Sequence, residues 1–258
     1  MNSEDFTITD VWAANLEEEF EKISFLLELY PYIGMDTEFP GFLKRSFTAQ
    51  LTPEEQRYYA EAVSINLTKI IQIGITLSDE GGITPHPCCT WQFNFKFSKK
   101  EDIYSPKAIS LLEEAGIDFD EFEKNGIDVV DFAHLFYSSG LVNNPNIVWI
   151  TFHGSYDFGY LLKMVTHKSL PSSEKDFFKL LRTHFPRFYD IKAILNYLAP
   201  SRSGGLQSIA DDLGVERHGR QHQAGSDSQV TLETYFRLIE STEMDYSPLI
   251  NILYGLQG

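Results

Sequence analysis

The sequence predicts an α/β domain with a central mixed β-sheet flanked by α-helices on both faces. Three observations lead there. The runs at 70–77 and 147–152 are almost continuously apolar and β-branched, as in strands buried on both faces. Apolar residues at steps of three and four recur elsewhere and mark amphipathic helices. Two or three strands come early, and strand then alternates with helix, which is the order of a mixed sheet.

Along the chain, Trp12, Leu16, Phe20, Ile23, Leu27 and Tyr30 fall on one helical face, so a helix is expected over 11–30, ended by Pro31. The first strand is expected at Tyr32–Phe39. Pro53 and the acids after it suit a helix opening, and that helix should run to about Leu67. Strands follow at Ile70–Leu77 and Thr90–Phe97, with turn chemistry at Asp79–Gly82, and pair antiparallel across the 78–89 connection. Trp91, Phe93, Phe95 and Phe97 alternate onto one face of the second of these. Helices are expected near 105–115 and 128–138, a strand at Ile147–Phe152, and a helix from Tyr156 to Thr166. Further helices are expected near 174–184, 191–199, 206–213 and 225–241.

With 258 residues and 43% hydrophobic content, the chain can bury a well-filled core, and it reads as one domain over 1–258. No apolar run reaches membrane-spanning length, and no secretory signal is expected at the acidic N-terminus. The two cysteines, Cys88 and Cys89, are neighbours, which excludes a disulfide framework and suits a reducing intracellular compartment. A net charge of −16 argues against gripping nucleic acid through a broad basic surface. It leaves room for a nucleic-acid enzyme with an acidic, metal-filled pocket, one expected to hold substrate weakly by itself. The basic clusters are small: Lys44-Arg45, Lys99-Lys100 and the stretch from Arg217 to Arg220.

The informative string is Met35-Asp36-Thr37-Glu38-Phe39-Pro40-Gly41. On a strand, Asp36 and Glu38 point the same way. Two anions side by side raise each other's pKa, and a hard divalent cation relieves them. Pro40 should stop the strand where the acids emerge. Alone, Asp-x-Glu is common. A third carboxylate, Asp157, lies at a helix start just past a buried strand, and His222 with a fourth, Asp227, leads into the last long helix. Four carboxylates can hold two divalent ions roughly 3.5–4 Å apart, the arrangement for in-line attack on a phosphodiester. A histidine beside them can take the proton of the attacking water.

The order Asp-x-Glu, Asp, His-x4-Asp resembles the DEDD exonucleases that use a histidine. Met35–Gly41, Trp91–Phe97, Tyr156–Leu161, Gly204-Gly205-Leu206-Gln207, His222–Ser228 and the terminal Leu253–Leu256 are similar to the Caf/Pop poly(A) ribonucleases, the deadenylase subunits of the Ccr–Not complex. The resemblance runs from about residue 11 to the C-terminus. It implies a ribonuclease-H-like fold and 3′-to-5′ removal of poly(A) tails with release of 5′-AMP. It implies two divalent ions, Mg²⁺ or Mn²⁺, held by Asp36, Glu38, Asp157 and Asp227, with Asp36 bridging them and His222 as general base. It also implies partners: poly(A) RNA, a Not-type scaffold, the leucine-rich-repeat nuclease subunit and Tob/Btg-type regulators, with no membrane, in cytoplasm and nucleus. The sequence departs from the family at His153-Gly154-Ser155, where His-Ser-Gly is usual, and over Phe42–Tyr59.

Other residues carry less. His153 is expected to make a structural hydrogen bond, Asp190 to cap a helix, and His134, His167 and His184 to lie on helix faces. His86 with Cys88 and Cys89 lacks a second pair of zinc ligands. The Trp91–Phe97 aromatics are expected in the core rather than as a base-stacking platform. A nuclease for other RNA or DNA ends, and a bridging role within the complex, are the competing functions. Alanine at Asp36 or Asp227 is expected to abolish activity and to spare or improve folding.

Overall fold

The computed structural model describes residues 7–43, 52–198, 204–242 and 245–256. In chain order the elements are β1 (Ile8–Val11), α1 (Leu16–Leu26), β2 (Tyr32–Glu38), α2 (Pro53–Leu67), β3 (Gln72–Ser78), β4 (Thr90–Asn94), α3 (Pro106–Glu114), α4 (Phe119–Asn125), α5 (Val129–Ser138), β5 (Val148–Thr151), α6 (Ser155–Thr166), α7 (Glu174–His184), β6 (Phe188–Asp190), α8 (Ile191–Leu198), α9 (Leu206–Asp212) and α10 (Ala224–Glu240). The sheet order is β1-β4-β3-β2-β5-β6. The β4-β3-β2 pairs are antiparallel, and β1 on β4, β5 on β2 and β6 on β5 are parallel. This is a mixed sheet with helices on both faces, as predicted. Among the described residues no helix is long and apolar enough to cross a membrane.

The structure departs from the sequence reading in several elements. Residues 11–15 are not helical. Val11 ends β1, and Trp12 leaves the helix face to pack edge-on against Phe122 with ring centroids 5.1 Å apart. Tyr32–Glu38 is therefore the second strand. The helix α4 and the strands β1 and β6 were not anticipated. The basic pair Lys44-Arg45 lies outside the described residues.

Alternation along the central strands divides the core. Ile33 and Met35 of β2, Ile73, Ile75 and Leu77 of β3, and Trp91 and Phe93 of β4 join one large cluster with α1, α5 and α6. Trp91, Phe93 and Phe95 are buried there, and Phe97 is buried in a second cluster with α3 and α4, so all four are core as expected. The opposite face of the same strands is small or polar: Gly34, Asp36, Gln72, Gly74, Thr76, Gln92 and Asn94. Helix α10 lies across it.

Glycine lets α10 come that close. A Cβ on Gly74 would stand 1.8 Å from the Ala224 carbonyl oxygen, and one on Gly34 would stand 2.5 Å from that of Ser228. Strand side chains then serve the helix start, whose first N–H groups have no partner within the helix. Gln72 Oε1 accepts from Ala224 N at 3.2 Å, Gln92 Oε1 accepts from Gly225 N at 3.0 Å, and Thr76 shares a hydrogen bond with Ser228 at 2.8 Å. Gly74→Ala should push the start of α10 off the sheet and destabilise the protein by about 1–3 kcal/mol, the usual penalty for overpacking. Urea unfolding checks this; an unchanged midpoint would contradict the close approach.

Candidate active site

Strand β2 ends at Glu38, one residue before Phe39-Pro40, so the acids emerge at the sheet edge. Asp36 and Glu38 sit on the α10 face. The seating of α10 brings Asp227, in its first turn, beside them. Thr37 points to the other face, and its hydroxyl donates to Asp157 Oδ1 at 2.7 Å. Asp157 stands in the first turn of α6, directly after β5. All four predicted carboxylates therefore meet at the end of β2, two from that strand and one from a helix on each side.

His222 completes the group. Its backbone is left-handed, with φ +62°, and its N–H donates to Asp227 Oδ2 at 2.9 Å. One ligand atom each from Glu38, His222 and Asp227 lie within 4.8 Å of one another. The five residues predicted from sequence are thus the ones that converge.

Electrostatics explains what this cluster needs. Burial, then the charges of Asp227, Asp157 and Glu38, hold the Asp36 carboxyl well above its ordinary range. Glu38 is raised by burial, Asp227 and Asp157. Burial pushes Asp157 up to about 7 against the Thr37 hydrogen bond. Asp227 is raised by burial and pulled back by Arg217. Hard carboxylate oxygens and one imidazole, short of positive charge, are a donor set that fits Mg²⁺ or Mn²⁺.

Arg217 was not singled out by sequence. Its guanidinium contacts Asp227 Oδ1 at 2.6 Å and donates to Ser226 Oγ at 2.9 Å and to Gln207, with both charged side chains about nine-tenths buried. The contact changes the expectation for Asp227. Asp227→Ala removes the ion-pair partner of the buried Arg217 and leaves it only the more distant charges of Asp36 and Glu38, which costs up to roughly 3–5 kcal/mol. A double variant with Arg217→Met should recover most of that. Denaturation midpoints of the three proteins check it; equal midpoints would show that the pair contributes nothing.

Asp190 does more than cap. Its buried carboxylate accepts from Lys192 N at 2.9 Å in the first turn of α8. It also accepts from His153 N at 2.8 Å, Gly154 N at 3.2 Å and Tyr254 N at 2.9 Å. It ties the approach to Asp157 to the C-terminal segment. A Cβ at Gly154 would stand 2.2 Å from Thr151 Oγ1, so the reordered His153-Gly154-Ser155 puts glycine where there is no room for more. His153 uses its backbone in that hydrogen bond, while its ring packs edge-on against Tyr254 at 5.1 Å.

Two cavities open onto the cluster and share Asp36 and Thr37. One, of about 340 Å³, is lined by Glu38, Gln207, Arg217, Gln221, His222 and Asp227. The other, of about 620 Å³, runs from Asp36 and Asp157 to α2 between aromatic side chains.

The model of the CAF1 family of ribonucleases matches residues 11–135. The chain is 46% identical over 252 residues to the poly(A) ribonuclease pop2 of Schizosaccharomyces pombe, covering 96% of this chain and 75% of that protein. The chain belongs to the CAF1 family of ribonucleases. Its backbone follows that of the S. pombe Pop2p solved in its Mg²⁺- and Mn²⁺-bound form, with a TM-score of 0.92 and 45% identity over 96% of this chain and 99% of the other. It also follows CAF1 as co-crystallised with the yeast NOT1 MIF4G domain, with a TM-score of 0.84 and 30% identity over 98% and 99% of the two chains. Its fold is ribonuclease-H-like, as the sequence resemblance implied.

Proposed function

We propose that this CAF1-family chain is a metal-dependent 3′-to-5′ exoribonuclease that shortens poly(A) tails and releases 5′-AMP, working within a Ccr–Not-type complex. The observation that carries this reading is the convergence of Asp36, Glu38, Asp157, Asp227 and His222 at one end of β2. The relative named as a poly(A) ribonuclease supports the substrate, and the ion-bound Pop2p supports the cofactor. The co-crystal of CAF1 with the NOT1 MIF4G domain supports a Not-type scaffold as partner. The leucine-rich-repeat nuclease subunit and Tob/Btg-type regulators are proposed from the family resemblance alone, and so is residence in both cytoplasm and nucleus.

Asp36, Glu38, Asp157 and Asp227 would hold two divalent ions, and Asp36 lines both cavities. Such ions supply charge stabilisation at the scissile phosphate and a more acidic attacking water. The residues do the rest. Thr37 holds Asp157 in place, and the Gln72 and Gln92 contacts to α10 hold Asp227 in place. His222 stands where it can take the proton of the attacking water. The polar cavity with Arg217, Gln207 and Gln221 suits a phosphate backbone.

The test is incubation of 5′-labelled RNA ending in a run of adenosines with Mg²⁺ or Mn²⁺, beside Asp36→Ala. Shortening from the 3′ end, absent in the variant, is expected. No shortening with either ion would refute catalysis by the isolated chain and leave the bridging role in the complex as the reading to pursue.

A further inference from the structure

The second cavity has a composition that the metal-binding acids do not explain. Its near end is Asp36 and Asp157, and its far wall is the face of α2 that carries Arg57, Ala60 and Glu61. Between them stand aromatic rings. Phe39 and Tyr156 stack 5.0 Å apart at 7°, and Phe42 meets Tyr156 edge-on at 4.9 Å. Phe42 is 63% exposed, a large apolar ring left open at the mouth. On the other side Tyr254 is held by Asp190, and the Arg57 guanidinium donates to the Gly255 carbonyl at 2.7 Å, so Arg57 clamps the C-terminal segment as the second wall.

A nucleotide with its phosphate at the carboxylates has two places for its base. The cavity beside Arg217 is polar and small, about 340 Å³. Both volumes fall within the roughly 300–1,000 Å³ range of small-ligand sites, but the cavity toward α2, at about 620 Å³, is the roomier one and the one walled by aromatic rings. Bases stack on aromatic rings without regard to sequence, so stacking alone does not select among them. Selection needs a polar group on the base edge, and Glu61 is the half-buried acid on the wall opposite the carboxylates.

We propose that this cavity is the subsite for the base of the 3′-terminal nucleotide and that Glu61 hydrogen-bonds that base along its Watson–Crick edge. The inference rests on the nuclease reading above and adds a specificity-determining residue to it. A neutral carboxyl both donates and accepts, so it pairs with adenine, donating to N1 and accepting from the N6 amino group. An ionised carboxylate only accepts. It loses the adenine N1 bond, and it gains guanine, whose N1–H and N2 amino group are both donors.

The groups facing Glu61 are Arg57 on its own helix, Ser155 and Tyr156 from α6, Glu174 from α7 and the neighbouring Tyr58. Burial pushes the Glu61 carboxyl up to about 7, against the Ser155 hydroxyl and Arg57, so both forms occur near neutrality. The preference for adenine over guanine is therefore strongest on the acid side and falls as pH rises through this range.

The experiment compares kcat/KM on two RNAs that differ only in a 3′-terminal adenosine or guanosine, from about pH 6 to about pH 8. The adenosine-to-guanosine ratio of the natural protein should fall about tenfold across the range, the scale of one two-point base contact. In Glu61→Gln, whose amide always donates and accepts, the ratio should stay flat. Binding of 5′-AMP and 5′-GMP, measured by calorimetry, should show the same pattern without turnover. A ratio independent of pH in the natural protein, or one that falls equally in Glu61→Gln, overturns the proposal. Cleavage of adenosine tails with such a flat ratio would remove the Glu61 assignment and leave the nuclease reading intact. A pH-dependent preference for AMP without cleavage would do the reverse.

Discussion

Asp36→Ala should abolish cleavage and, in chelator, raise the melting temperature. The two effects have one cause. Asp36 is held above its ordinary pKa by burial and by Asp227, Asp157 and Glu38, so its ionised form is disfavoured in the folded protein. A carboxyl whose folded pKa is raised binds its proton more tightly folded than unfolded. Stability is therefore full below the unfolded value and is lost as pH rises through the folded one. Asp157, raised from 3.8 to about 7, sets the visible window. Without divalent ions the natural protein should lose stability steadily between those values, and Asp36→Ala should show a flatter profile. At neutral pH the variant should melt higher, by about 2–4 °C for each kcal/mol relieved. Added Mg²⁺ should raise the melting point of the natural protein and barely move that of the variant. Activity should fall at least about 10³-fold, as when a preorganised electrostatic group is removed from an active site. Thermal scans from pH 4 to 8, with and without chelator, decide it. A variant that melts well below the natural protein in chelator would show that Asp36 is a structural acid.

That contrast with Asp227, which keeps Arg217 company, shows which parts of the site were legible in the sequence. Asp36 and Glu38 could be placed because period-two alternation and Pro40 are local facts. Asp157 and Asp227 could be placed because each follows a strand or opens a helix. Arg217 could not, since it reaches Asp227 from a loop ten residues earlier, and nothing in the spacing says which arginine of 217–220 turns inward. The polar face under α10 left a trace that could have been read. Gln72, Gln92 and Asn94 interrupt strands that are otherwise core, and buried amides need partners. Their partner is the start of α10, a long-range packing fact. The strands β1 and β6, of four and three residues, are too short for any period and exist because their neighbours pair with them. Helix α4 did have a signal, Phe119 and Phe122 three apart behind the Asp118 cap, but seven residues gave it too few turns to stand out.

His222→Ala should lower kcat by about 10²–10⁴-fold, the range for a lost general base, with KM little changed. The geometry demands a finer test, because His222 has two jobs. Its left-handed backbone shapes the loop, and its N–H holds Asp227 Oδ2 at 2.9 Å. Its ring lies among the Glu38 and Asp227 carboxylates. Alanine disturbs both jobs, since a Cβ at positive φ is strained without local compensation. Asparagine tolerates that conformation far better and keeps the N–H, but it has no imidazole. If the ring transfers the proton, His222→Asn should be as inactive as His222→Ala while melting within a degree or two of the natural protein. If the residue merely positions Asp227, His222→Asn should retain most of its rate, and only alanine should lose both activity and stability. The asparagine variant thus separates chemistry from placement at a position where the backbone and the side chain serve the same carboxylate.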